Sequence, residues 1–120
     1  MKKICAVFIS MLLLSSNVAA DEFISGMDDI PLPSGMRQIH SADISFGNDE
    51  IRFNEAYITS ERLSFSSVAG FYKETLPQLG WKFDNNKENA LHFERDMEVL
   101  DIVAEKMKPL LIRITLKSKD

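Results

Sequence analysis

Cysteine is, with tryptophan, the scarcest residue of this 120-residue chain, which has a single one, Cys5, inside an apolar run near the start. If that run is removed, the remaining protein has no thiol at all. Disulfide staples, thiol nucleophiles and zinc–thiolate centres are then excluded, and stability must come from a packed core. Histidine is almost as rare, with only His40 and His92 in the sequence, which leaves little for proton shuttling near neutral pH. No apolar run has the roughly 20 residues a membrane-spanning helix needs; the run from Ile4 to Leu14 has eleven, with Ser10 among them. Positive charge is also short, which disfavours nucleic acid and anionic lipid as partners.

What the first 20 residues do contain is the pattern of an export signal. Met1-Lys2-Lys3 gives a positive start, residues 4 to 14 an apolar stretch of the right length, and Val18-Ala19-Ala20 the modest side chains a signal peptidase accepts. The expected cut falls after Ala20, so the protein is expected in the periplasm, without a stable membrane span. Cys5 lies within the apolar stretch, so it is not the acylated first residue of a lipoprotein. The mature chain retains 12 basic and 18 acidic residues.

The rest divides into a proline-containing arm, residues 21 to 42, and one domain, residues 43 to 120. In the arm, Pro31 and Pro33 forbid regular helix and favour extended backbone. Its apolar residues Phe23, Ile24, Met27, Ile30, Leu32 and Met36 predict that part of it lies against the domain. Ile44 and Phe46, then Ile51 and Phe53, alternate about a Gly47-Asn48-Asp49 turn and predict a β-hairpin. The second strand moves its apolar set from Ile51 and Phe53 to Ala56 and Ile58, and a bulge near Asn54-Glu55 is the simplest repair.

Val68, Phe71, Tyr72, Leu76 and Leu79 share one face of a helix predicted over 66–79. Ser66 or Ser67 is expected to cap its start, Gly80 to follow its end, and Pro77 to bend it or finish it early. Four short alternating runs follow, at 81–84, 90–95, 98–105 and 110–117, joined by connections that suit antiparallel neighbours. The fold class expected is α+β: a mostly antiparallel sheet with one amphipathic helix, in the order ββ-α-ββββ, preceded by the signal peptide.

One run breaks the simple pattern. Residues 98 to 105 send Leu100, Ile102 and Ala104 one way and Val99, Asp101 and Val103 the other, so both sides are largely apolar. The helix covers one side; the arm or a partner is expected to cover the other, which makes Val99, Asp101 and Val103 the candidate interaction surface.

Motifs for chemistry are missing. There is no G-x-S-x-G elbow and no H-E-x-x-H pair. The stretch from Asp84 to Asn89 starts like a calcium loop, but Asn89 replaces the required glycine and Arg95 the final glutamate, so it reads as a polar hairpin turn. His40, three residues before Asp43, and His92, on a strand face with Glu94, read as surface residues. Asp28-Asp29 and Glu94-Arg95-Asp96 read as solvated charges, and the mature methionines, Met27, Met36, Met97 and Met107, as core filling or exposed. No catalytic residue, metal ligand or cofactor is assigned.

Two segments do carry a resemblance. Residues 30–36, Ile-Pro-Leu-Pro-Ser-Gly-Met, and residues 71–81, which read F-Y-K-E-T-L-P-Q-L-G-W, resemble the arm and helix of a group of small, uncharacterised exported proteins of proteobacteria. The resemblance covers most of residues 28 to 117 and implies export and fold but no activity. A hairpin that in the group often reads F-x-R-E-G-E is Phe93-Glu94-Arg95-Asp96-Met97-Glu98 here, so its turn type is expected to differ.

Three functions follow as expectations. The first is a non-enzymatic envelope module binding another protein or peptide through the second sheet face or an exposed strand edge. The others are a carrier holding a small apolar ligand between helix and sheet, and a hydrolase.

Overall fold

In the computed structural model, residues 22–48 and 51–119 are described, with Asn85 and Asn86 described by their backbone. The export signal lies outside the described residues. Strands β1 (Glu22–Ile24), β2 (Met27–Leu32), β3 (Arg37–Gln38), β4 (Ile44–Gly47) and β5 (Arg52–Ser60) precede helix α1 (Phe65–Thr75). Strands β6 (Lys82–Lys87), β7 (Ala90–Arg95), β8 (Glu98–Met107) and β9 (Leu110–Ser118) follow it.

The main sheet runs β3-β5-β9-β8-β7-β6, with β4 also pairing β5, and every neighbour is antiparallel. It is therefore the expected α+β meander under one helix. The two halves of the chain are joined by β5 and β9, paired without a break from Phe53↔Lys117 to Ser60↔Leu110. Alternation decides which face is dry. Ala56 and Ile58 on β5, Leu91 and Phe93 on β7, Leu100 and Ile102 on β8, and Ile112 and Ile114 on β9 are all buried in one core.

Helix α1 covers that inner face with Phe65, Val68, Ala69, Phe71 and Tyr72. Its cap is Ser64 rather than the expected Ser66 or Ser67, and the Ser64 hydroxyl accepts from the Ser67 N–H at 3.2 Å. Pro77 acts as anticipated: the α-helix stops at Thr75, a 3-10 turn spans Leu76–Leu79, and Gly80 takes the left-handed conformation (φ 94°).

The arm docks on the same inner side, sharing the core through Ile24, Met27, Ile30, Leu32 and Met36. Extended backbone becomes pairing here, because β1 and β2 form a small antiparallel sheet of their own. The buried Tyr72 hydroxyl donates to the Pro31 carbonyl at 2.6 Å, and burial pushes its pKa well up. Arg95 holds the arm from the other end. Its guanidinium lies 4.1 Å over the Trp81 ring and donates to the Leu79 carbonyl at 3.0 Å and to Asp29 at 2.5 Å. Arg95 and Asp29, read from the sequence as solvated, are thus parts of a clasp.

Two further expectations are corrected. No bulge occurs near Asn54-Glu55, since β5 pairs in register with both β4 and β9 across that point. The odd-numbered apolar residues simply face outward, and Asn54 is accepted on the core side because the Ser45 hydroxyl donates to its side-chain oxygen at 2.6 Å. The polar hairpin turn is also shorter than expected: β6 runs on to Lys87, and the turn is Glu88-Asn89. Irregularities occur instead between Phe83 and Asn85 and between Ala104 and Lys106.

Candidate functional site

The period of two that fills the core places a second set of side chains on the outer face. Register puts Val99 opposite Glu94 and Lys117, Asp101 opposite His92 and Thr115, and Val103 opposite Ala90 and Arg113. Val99, Asp101 and Val103 are therefore contiguous there, half-buried among their cross-strand neighbours. The arm does not cover them, because its apolar residues belong to the core on the opposite side.

At the β4 end the outer face carries exposed apolar side chains, with Glu55 and Lys117 beside them on the neighbouring strands. Ile44 pairs with Glu55 and Phe46 with Phe53, and the two phenylalanine rings stack at 5.0 Å and 17°. Ile44 is 45% exposed, Phe46 62% and Ile51 61%. Strand β4 has β5 on one side and, among the described residues, no strand on the other. It offers no charged side chain, and its four residues, Ile-Ser-Phe-Gly, are all exposed.

The opposite end is charged. His92 is held between two carboxylates: Nδ1 lies 2.5 Å from Asp101 Oδ1, and Nε2 lies 3.1 Å from Glu94 Oε2. The other oxygen of Glu94 accepts from Lys119 at 2.9 Å. The irregularity between Phe83 and Asn85 sets Asp84 beside this group, where one donor atom each from Asp84, His92 and Glu94 lie within 4.8 Å of one another. Among the described residues this is the cluster whose donors suit a metal ion. A surface depression of about 280 Å³ adjoins it, bordered by Lys87 and Leu91 as well as His92 and Asp101.

The electrostatics follow from these contacts. The hydrogen bond with Asp101 raises the His92 pKa above its ordinary value, opposed by partial burial and reinforced by Glu94. The Lys119 ammonium, followed by His92, lowers the Glu94 pKa. His92 was expected to be a surface residue, and the structure makes it the centre of a four-residue network. His40, by contrast, is a surface residue as expected: its ring is 66% exposed and 3.4 Å from Asp43.

Sequence periodicity places His92 and Glu94 on one face and Asp101 in the candidate surface with Val99 and Val103, but joins neither Asp101 nor Asp84 to the histidine. Asp101 had a usable signal. A two-residue turn at Asp96-Met97 sets Arg95 opposite Glu98 and so counts back to His92 opposite Asp101. Asp84 had none, because its position depends on an irregularity that alternation does not reveal. Elsewhere, an open groove of about 630 Å³ lies between α1 and the β6–β7 hairpin, with Phe65, Ala69, Leu91 and Met107 among its walls.

Among the described residues, no helix is long and apolar enough to cross a membrane. Compared with protein-family models, curated proteins and solved structures, the chain matches none.

Proposed function

We propose that this is a non-enzymatic module of the bacterial cell envelope, exported to the periplasm through residues 1–20, that binds an extended segment of another protein by strand addition at β4. The observation that carries the reading is the exposed, uncharged, apolar edge formed by Ile44 and Phe46. Unpaired backbone along such an edge supplies hydrogen bonds to an incoming strand, and apolar side chains beside it supply contact area. The occupant should be apolar in alternation and basic at its flanks. Glu55 lies opposite Ile44, Asp43 precedes it, and the mature chain's excess of acid disfavours pairing with a second copy of itself. The resemblance to small exported proteins of proteobacteria supports the compartment.

The alternatives fit less well. A ligand carried between helix and sheet would need space now filled by Ile58, Leu100, Ile102, Ile112 and Ile114, all at 0% exposure. The groove beside α1 is open rather than enclosed. For a hydrolase, both histidines face carboxylates, and among the described residues no serine hydroxyl is hydrogen-bonded to either.

The test is an NMR titration of the labelled protein with an alternating valine–lysine peptide and its valine–glutamate counterpart. Amide shifts confined to residues 44–47 and their β5 partners, seen with the lysine peptide and abolished by Phe46→Lys, are expected. Absence of β4 shifts with either peptide, or concentration-dependent dimerisation through β4, would refute this mode of binding. N-terminal sequencing of the cellular protein should begin at Asp21; a periplasmic fraction lacking the protein would overturn the compartment.

A further inference from the structure

We propose that Asp84, His92 and Glu94 bind a divalent transition-metal cation on the outer face, with Asp101 as the positioning residue for the imidazole. Both ring nitrogens of His92 face carboxylate oxygens, which only accept hydrogen bonds when ionised. A neutral imidazole has one N–H, and the closer contact, Nδ1 to Asp101, holds it. The lone pair of Nε2 is then aimed at an oxygen of Glu94 that is also rich in electrons. A cation seated between them removes that repulsion, and the Asp84 carboxylate lies within reach of the same point.

The geometry suits the ion. Two donors 3.1 Å apart subtend roughly a right angle at a metal about 2.1 Å from each, an ordinary angle between adjacent ligands. Asp84 is exposed and so free to swing the short distance needed to become the third ligand. Asp101 does for His92 what carboxylates commonly do behind metal-bound imidazoles, fixing the tautomer and orienting the ring. Lys119 neutralises one oxygen of Glu94 but leaves the one facing His92 free.

The charges around His92 are Asp84, Lys82 and Lys87 from β6, Glu94 from β7, Asp101 from β8 and Lys119 from the C-terminal segment. One nitrogen and two oxygens, with room for water, suit zinc, cobalt or manganese rather than calcium, which takes six to eight oxygens. The site is independent of the β4 edge, so either proposal can fail alone.

The experiment is calorimetric titration of untagged protein with Zn²⁺ at pH 7.5, with Co²⁺ absorption and Mn²⁺ line-broadening as structural readouts. One-to-one Zn²⁺ binding is expected, weakened at least tenfold by His92→Gln or Glu94→Gln and also by Asp84→Asn, which alters an exposed side chain and leaves the packed core intact. Binding should weaken at least tenfold at pH 5.5, where a proton occupies Nε2 and must leave before the metal can bind. No Zn²⁺ binding at millimolar concentration would overturn the proposal. So would binding untouched by Asp84→Asn and Glu94→Gln but lost in His40→Gln, or Ca²⁺ binding as tight as Zn²⁺.

Discussion

The two faces of the seven-stranded sheet come from the same residues in alternation, yet they are used in opposite ways. On β9, Leu110, Ile112, Ile114 and Leu116 are buried against α1 and the arm, while Leu111, Arg113 and Thr115 on the other face are half-buried and Lys117 is exposed. Apolar residues on the inner face already have partners. Those on the outer face, from Val99 and Val103 to Phe46 and Ile44, have only their cross-strand neighbours. Candidate binding chemistry collects on the outer face because the inner face has no side chain free for it.

The difference extends to the two edges. Strand β6 carries Lys82, Asp84 and Lys87 and an irregularity at Asp84, devices that discourage another strand from adding. Strand β4 has none of these. An edge left unguarded on one side of a sheet and guarded on the other is the asymmetry expected of a molecule that pairs with a partner at one place only.

Truncating adjacent residues of β9 separates the two faces most strongly. Ile112→Ala opens a cavity beneath α1 and should cost about 2–5 kcal/mol in urea unfolding, the usual range for large-to-alanine core changes. Leu111→Ala, one residue away on the half-buried outer face, should cost less than about 1.5 kcal/mol. Equal losses would mean that the outer face is packed as tightly as the core and has no surface to offer.

A smaller effect tests whether the arm belongs to the inner layer. Tyr72→Phe removes the donor to the Pro31 carbonyl and leaves that buried oxygen unpaired, at an expected cost of about 1–3 kcal/mol. Hydrogen exchange should then accelerate first in β1 and β2. Unchanged exchange there would show that the arm is held by its apolar side chains and by Arg95–Asp29 rather than by the tyrosine.

Much of this layout was legible in advance, and the misses have physical reasons. The helix face at Val68, Phe71, Tyr72 and Leu76 is buried as its spacing required, and the β9 alternation is carried through unchanged. Leu79 is the exception on the helix: the 3-10 turn after Thr75 changes the angular step and leaves it 37% exposed. Bulge placement failed because an apolar residue was assumed to need the core. Phe53 does not, since Phe46 stacks on it outside. Arg95 and Asp29 looked like solvated charges because their contact joins residues 66 apart, and local spacing carries no information about such a pair.

The smallest effect is the pH dependence that the outer face contributes to stability. Because His92 has a raised folded-state pKa, its stabilising contribution is fully present below the ordinary value of 6.5 and is lost as pH rises through the folded value. Glu94, with a lowered pKa, contributes above its ordinary value of 4.5 and loses that contribution as pH falls through the folded one. Both operate together between those two values, so without added metal the unfolding free energy should be higher near pH 5.5 than near pH 8.5, and His92→Gln should flatten the alkaline slope. Saturating Zn²⁺ should reverse it, since the metal takes the place of the proton on Nε2 and binds better as that proton leaves. A slope of the same size in His92→Gln would place the titrating group elsewhere and leave the carboxylates around this imidazole without an energetic role.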